Sequence, residues 1–156
     1  KIVNHYEVVR KYLKLDFKQW KISEEPLRQT YKSVLICPES TDTQRTLSPE
    51  QTTSLVSMLK KKYPNINVTI ASLDKAYMFD ECDYIQFKKS FISSLDFLQF
   101  IKEVELVICV DSGPLHIMLQ LQKDTIAVFN STVPDVVINT DSKVKIIEKD
   151  LLHNYF

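Results

Sequence analysis

The chain has 156 residues, 44% apolar and 26% charged, enough for one domain with a substantial core. Its 20 Lys and Arg balance 20 Asp and Glu, which excludes nucleic-acid binding driven by bulk charge. No apolar run approaches the roughly 18 residues of a membrane span, no signal-peptide pattern opens the chain, and the three cysteines lack metal-ligand spacing, so no metal site is expected.

Over residues 5–20 apolar side chains recur at helical spacing (Val8, Val9, Tyr12, Leu13, Phe17, Trp20), which predicts an amphipathic helix with an aromatic exit. Residues 23–30 are polar, contain Pro26 and read as a linker. Residues 1–30 therefore form a helix and connector ahead of a domain over 31–156. Residues 33–37 (SVLIC) read as a short buried strand, followed by a polar loop over 38–47 (PESTDTQRTL). Ser48-Pro49-Glu50-Gln51 starts a helix: Ser48 caps, Pro49 takes the first position and Gln51 closes a capping box. Lys60, Lys61 and Lys62 suit its dipole at the far end, and it stops near Tyr63-Pro64-Asn65.

Residues 67–71 (NVTIA) give the next strand and 84–87 (YIQF) a weaker one. Ser94 is expected to cap a second helix with Leu95, Phe97, Leu98 and Ile101 on its inner side. A strand over 106–110 follows, then a helix from Pro114 to about Gln122, a strand over 125–129 and a last one over 144–147. Cys37 and Cys109, inside or at the end of apolar runs, read as small buried hydrophobes in a reducing compartment.

The segment 106–118 (LVICVDSGPLHIM) holds Gly113, the only glycine in the chain. An apolar, β-branched run ends there at Asp111-Ser112-Gly113, and Pro114 opens a helix. Such a strand-to-helix turn points backbone N–H groups at whatever sits above the sheet, and helix N-termini favour phosphate. Glycine at the turn serves either its dihedral angles or the close approach of a ligand. Asp111 at a buried strand end is costly unless it has work to do there.

Val- and Ile-rich strands alternating with helices predict an α/β protein with a Rossmann-like, doubly wound parallel sheet. In such sheets ligands bind above the carboxyl ends of the strands, which selects the loops at 38–47, 111–116 and 130–135.

Taken together, these loops resemble the carboxyl-terminal half of glycosyltransferase family 9, the ADP-heptose:lipopolysaccharide heptosyltransferases and their relatives. The family's strand, D-[ST]-G-x-x-H turn and helix correspond to 107–116 (VICVDSGPLH). Its F-G-P-T-x-P turn corresponds to Phe129-Asn130-Ser131-Thr132-Val133-Pro134. Its Pro-Gly-Ala-Ser loop and basic turn correspond to Cys37-Pro38-Glu39-Ser40 and Gln44-Arg45-Thr46-Leu47-Ser48-Pro49, and its linker helix to His5–Leu13. The chain departs from the pattern at Glu39 (a family glycine), Gln44 (a lysine), Leu121-Gln122 (Leu-Gly) and Ser72-Leu73 (Gly-Gly). A carboxylate at position 39 would repel a diphosphate unless it points away.

The resemblance implies the carboxyl-terminal domain of a GT-B glycosyltransferase, the half that grips a sugar nucleotide. It implies inverting transfer without metal or other cofactor, from an ADP-sugar or another sugar nucleotide. The catalytic base is expected in an amino-terminal acceptor domain of the same protein, so no catalytic residue is assigned here and this chain alone is expected to be inactive. The acceptor would be a glycan or lipid A-core, and the location cytoplasmic or peripheral at the inner membrane. For the donor, Asp111 would hold sugar hydroxyls with Ser112 beside it at the donor, or else the two would cap the helix. The N–H groups of Gly113, Leu115 and His116 would meet the diphosphate, joined by Arg45. Thr132, Ser40 and Thr41 would add hydroxyls, and Phe87 and Lys88 would receive the base. The alternative is a degenerate, non-catalytic Rossmann-like domain used for protein interaction.

Overall fold

The computed structural model describes residues 28–87, 94–132, 134–138 and 144–149. The predicted helix over 5–20, Lys88, Val133 and the side chain of Ser94 lie outside the described residues. Six strands form one sheet: β1 (Ser33–Cys37), β2 (Asn67–Ser72), β3 (Asp83–Gln86), β4 (Leu106–Val110), β5 (Asp124–Phe129) and β6 (Val144–Glu148). The order is β3-β2-β1-β4-β5-β6, and every pairing is parallel. Helices α1 (Pro49–Lys62), α2 (Ser94–Glu103), α3 (Gly113–Gln120) and α4 (Pro134–Val137) connect the strands. This is the predicted α/β, Rossmann-like sheet. A 3-10 turn at Lys75–Tyr77 and the short α4 are too brief to carry a periodic signal.

Successive side chains on the central strands face opposite cores, as the two-residue strand period requires. Val34, Ile36, Leu106, Ile108 and Val110 join α1 residues Leu55, Val56 and Leu59 on one side. Leu35, Cys37, Val107 and Cys109 join Ile101 of α2 and Leu115, Met118 and Leu119 of α3 on the other. A strand buried on both faces needs an unbroken apolar run, which is how β1, β4 and β5 read in sequence. Among the described residues no helix is long and apolar enough to cross a membrane.

The capping box of α1 is present: Ser48 Oγ accepts from the Gln51 N–H, and the Ser48 N–H donates to Gln51 Oε1 at 2.9 Å. α3 ends at Gln120, two residues before the end its apolar pattern suggests. The N–H groups of Gln122 and Lys123 turn back to the carbonyls of Leu119 and Met118, and Gln122 adopts φ 52°. That closing pattern favours glycine at the left-handed position. The chain places glutamine there and keeps its glycine for Gly113.

At the amino ends of the strands the buried Asp124 pairs with Arg28 Nε at 3.0 Å and accepts from the Tyr31 hydroxyl at 3.4 Å. Near the strand ends, Tyr77 donates its hydroxyl to the Leu47 carbonyl at 2.7 Å. Burial pushes the Tyr31 phenol up to about 12, with Asp124 adding to the effect. Burial does the same for Tyr77, also about 12, helped by Glu39, Asp74 and Glu50. Both phenols therefore ionise later in the folded chain than at their ordinary value of 10.0. Their contribution to stability is complete below that value and is lost as pH climbs through the folded one. The urea midpoint is expected to fall between pH 10 and 12, and more gently in Tyr77→Phe, which lacks one of the two phenols. An identical alkaline slope in that variant would remove Tyr77 from the linkage.

Candidate functional site

The strand order reverses between β1 and β4. Ligands of doubly wound sheets bind in the crevice outside the carboxyl ends of the strands at that reversal. Two loops flank it: 38–47 after β1, and the turn from β4 into α3.

The first loop is tied off at its neck by the Leu47 N–H on the Pro38 carbonyl at 2.9 Å. Thr46 Oγ1 braces it from inside, accepting from the Ser40 N–H at 3.0 Å and facing the carbonyls of Ser40 and Asp42. Asp42 Oδ1 accepts from the Gln44 N–H at 2.9 Å. Other strand ends then hold this loop from outside. Asn130, after β5, donates to the Gln44 carbonyl at 2.8 Å. Lys149, after β6, donates to the Thr46 carbonyl at 2.7 Å. Glu39 at the loop's start accepts from the Leu73 N–H after β2. Its carboxylate is thus anchored toward β2 rather than left loose over the reversal.

The strongest tie crosses the reversal itself. Arg45 Nη1 lies 3.0 Å from Asp111 Oδ2, and Arg45 Nε lies 3.5 Å from Asp42 Oδ2. Asp111 is 3% exposed. A buried carboxylate needs such a partner, because losing its hydration uncompensated costs several kcal/mol. Arg45 Nε is itself buried with no hydrogen-bond partner.

In the second loop Ser112 is extended, with φ −160° and ψ 174°, and makes no side-chain cap. Its hydroxyl donates back to the Val110 carbonyl at 3.1 Å. The expected Ser112 cap is therefore corrected: the strand's last carbonyl lies within the hydroxyl's reach and takes it. Asp111, the other cap candidate, is engaged by Arg45 instead. α3 thus presents its first turn without a side-chain oxygen across it. The Leu115 N–H already bonds the Ser112 carbonyl at 3.1 Å, and its side chain is fully buried. Gly113 remains, exposed at the helix mouth.

Gly113 does not have positive φ, and a Cβ built on it meets nothing within 4 Å. Neither a left-handed turn nor internal crowding among the described residues requires glycine there. Its bare surface opens onto free space above the β1–β4 reversal.

The remaining candidates lie at varying distance from this centre. His116 is half-buried on α3, and Ser40 is half-buried on the first loop beside the exposed Thr41. Thr132 is half-buried in the turn after β5. Phe87, after β3, meets Phe97 of α2 edge-on at 5.0 Å, so part of its ring serves packing. Burial pushes the Cys37 thiol up to about 12 and the Cys109 thiol well above its ordinary value, so neither is a nucleophile. Among the described residues no His, Cys, Asp and Glu cluster could hold a metal ion. Lys149 and Asn130 both attach to the first loop; Lys149 carries no local sequence motif, and the turn that holds Asn130 says nothing of its reach to Gln44. Their contacts span 103 and 86 residues.

The model of glycosyltransferase family 9 (heptosyltransferase) matches residues 4–153. The fold is similar to E. coli heptosyltransferase WaaC with ADP: TM-score 0.62, 14% identity, 77% of this chain and 38% of that one. It is similar to E. coli ADP-heptose lps heptosyltransferase II: TM-score 0.63, 14% identity, 78% of this chain and 39% of that one. It is also similar to the family 9 glycosyl transferase of Veillonella parvula: TM-score 0.63, 12% identity, 78% and 36%. The chain therefore spans less than two fifths of each of these structures. No curated protein matches it.

Proposed function

The chain belongs to glycosyltransferase family 9, and we propose from that premise that it is the sugar-nucleotide-binding half of an inverting GT-B glycosyltransferase. The observation that carries this reading is the rim at the β1–β4 reversal. A part-buried Arg45–Asp111 pair stands there beside the open mouth of α3 at Gly113. When a sugar leaves its nucleotide, negative charge builds on the departing diphosphate. Donors fixed in advance stabilise that charge without reorganising. The Gly113 N–H, the α3 dipole and the outer edge of the Arg45 guanidinium are such donors. Asp111 keeps one carboxylate oxygen for the sugar hydroxyls, and Phe87 receives the base. The acceptor and the base that activates it belong to a partner domain of the same protein, in lipopolysaccharide or related glycan synthesis at the cytoplasmic face of the inner membrane.

Calorimetric titration of the 156-residue chain with ADP, UDP, GDP and their sugars tests this. The expected result is one saturable site for a nucleoside diphosphate, weaker at higher salt, with no sugar transfer by this chain alone. Absence of binding across the series overturns the donor reading. Turnover by the isolated chain overturns the assignment of the base to another domain.

A second reading is a degenerate domain used for protein interaction. One observation favours it: three carboxylates, Glu39, Asp42 and Asp111, stand around the rim against the single guanidinium of Arg45.

A further inference from the structure

We propose that Lys149, at the end of β6, is the cation that lets this rim hold a diphosphate, an inference that rests on the donor-binding reading above. The argument starts from charge. The Arg45 guanidinium lies between Asp111 at 3.0 Å and Asp42 at 3.5 Å. Most of its field is answered by those two carboxylates, and Glu39 adds a third negative charge on the same loop. A diphosphate arriving here would meet a surplus of like charge.

Lys149 offsets part of that surplus. Its Nζ lies 2.7 Å from the carbonyl of Thr46, the residue next to Arg45 in the loop. Among the described residues no carboxylate pairs with it. An ammonium has three N–H donors, and one carbonyl takes one of them. The other two remain for an oxygen anion lying over the loop. The contact is partly buried and spans 103 residues. Holding a long, strongly hydrated side chain in one place costs rotamer entropy and hydration. A single hydrogen bond to a neutral carbonyl offsets little of that, whereas a bound diphosphate, shared between Lys149 and the outer edge of Arg45, offsets much more. The ligand class is the diphosphate group itself, independent of base and sugar.

Inorganic pyrophosphate is the probe, titrated by calorimetry at several salt concentrations into the wild-type chain, Lys149→Gln and Lys149→Arg. Glutamine keeps an amide donor toward Thr46 and removes the charge. Lys149→Gln is expected to bind about 10- to 100-fold more weakly, with a flatter dependence on salt, and to melt as the wild type does. Lys149→Arg should retain most of the affinity. Unchanged affinity and salt slope in Lys149→Gln would make the residue only a brace for the loop, and the inference falls while the donor reading stands. No pyrophosphate or nucleoside diphosphate binding by the wild type removes the donor reading, and this inference with it.

Discussion

Gly113→Val, made in a chain whose Pro114 is already alanine, is expected to fold normally and to lose nucleoside diphosphate binding by at least about 100-fold, or ~2.7 kcal/mol. Proline must go first, because its ring disfavours helical backbone at a preceding residue that carries a Cβ. That local clash is the one internal reason for glycine that the geometry leaves standing. With Pro114 removed, a Cβ at 113 meets nothing within 4 Å outside its own helix and chain neighbours, so the branched side chain projects into the space the donor reading gives to the phosphates. Pro114→Ala alone should bind as well as wild type, since proline contributes no N–H. Thermal melting separates fold from site, and titration with the nucleoside diphosphate reads the site. A folded double variant that binds like Pro114→Ala would take the anion away from the mouth of α3.

Arg45→Met carries the largest expected cost in stability. It leaves the Asp111 carboxylate, 3% exposed, without the one cation that pairs with it among the described residues. Breaking a buried pair from one side costs about 3–5 kcal/mol. Arg45 is a quarter exposed, so water partly replaces it and about 2–4 kcal/mol is the better expectation. For a domain of this size that lowers the melting point by roughly 5–15 °C. Arg45→Met combined with Asp111→Leu removes the stranded charge and should regain much of the loss, without regaining ligand. Equal melting points for wild type and Arg45→Met would show that Asp111 is hydrated and that the pair does not hold the two loops together.

The fold was legible because its signals are local. β1, β4 and β5 are buried on both faces and so carry the apolar runs VLIC, LVICV and IAVF, and the Ser48–Gln51 box lies within one turn. The site was legible only as a set of names. Arg45 and Asp111 both belong at the strand ends, yet sequence assigned each separately to the ligand, and the structure pairs them across a separation of 66 positions. Ser112 has the chemistry of a cap, but a hydroxyl takes whichever acceptor lies nearer, and here that is Val110. Glu39 looked like an obstacle until the Leu73 N–H, 34 residues on, gave it somewhere to point. Lys149 sits in no motif, and only the sheet order brings β6 to the loop after β1.

That sheet order also governs when the rim comes into being. The β1–β2 pairing joins Val34 to Val68 around one helix, whereas the β1–β4 pairing joins Val34 to Leu106. Closing a longer loop costs more chain entropy, and long-range parallel pairings form slowly. Arg45 and Asp111 stand on opposite sides of the later pairing, so a chain that has folded only its first half has no rim to offer. A ligand of the rim therefore recognises the finished domain alone. By mass action, a ligand bound there would draw partly folded chains toward completion.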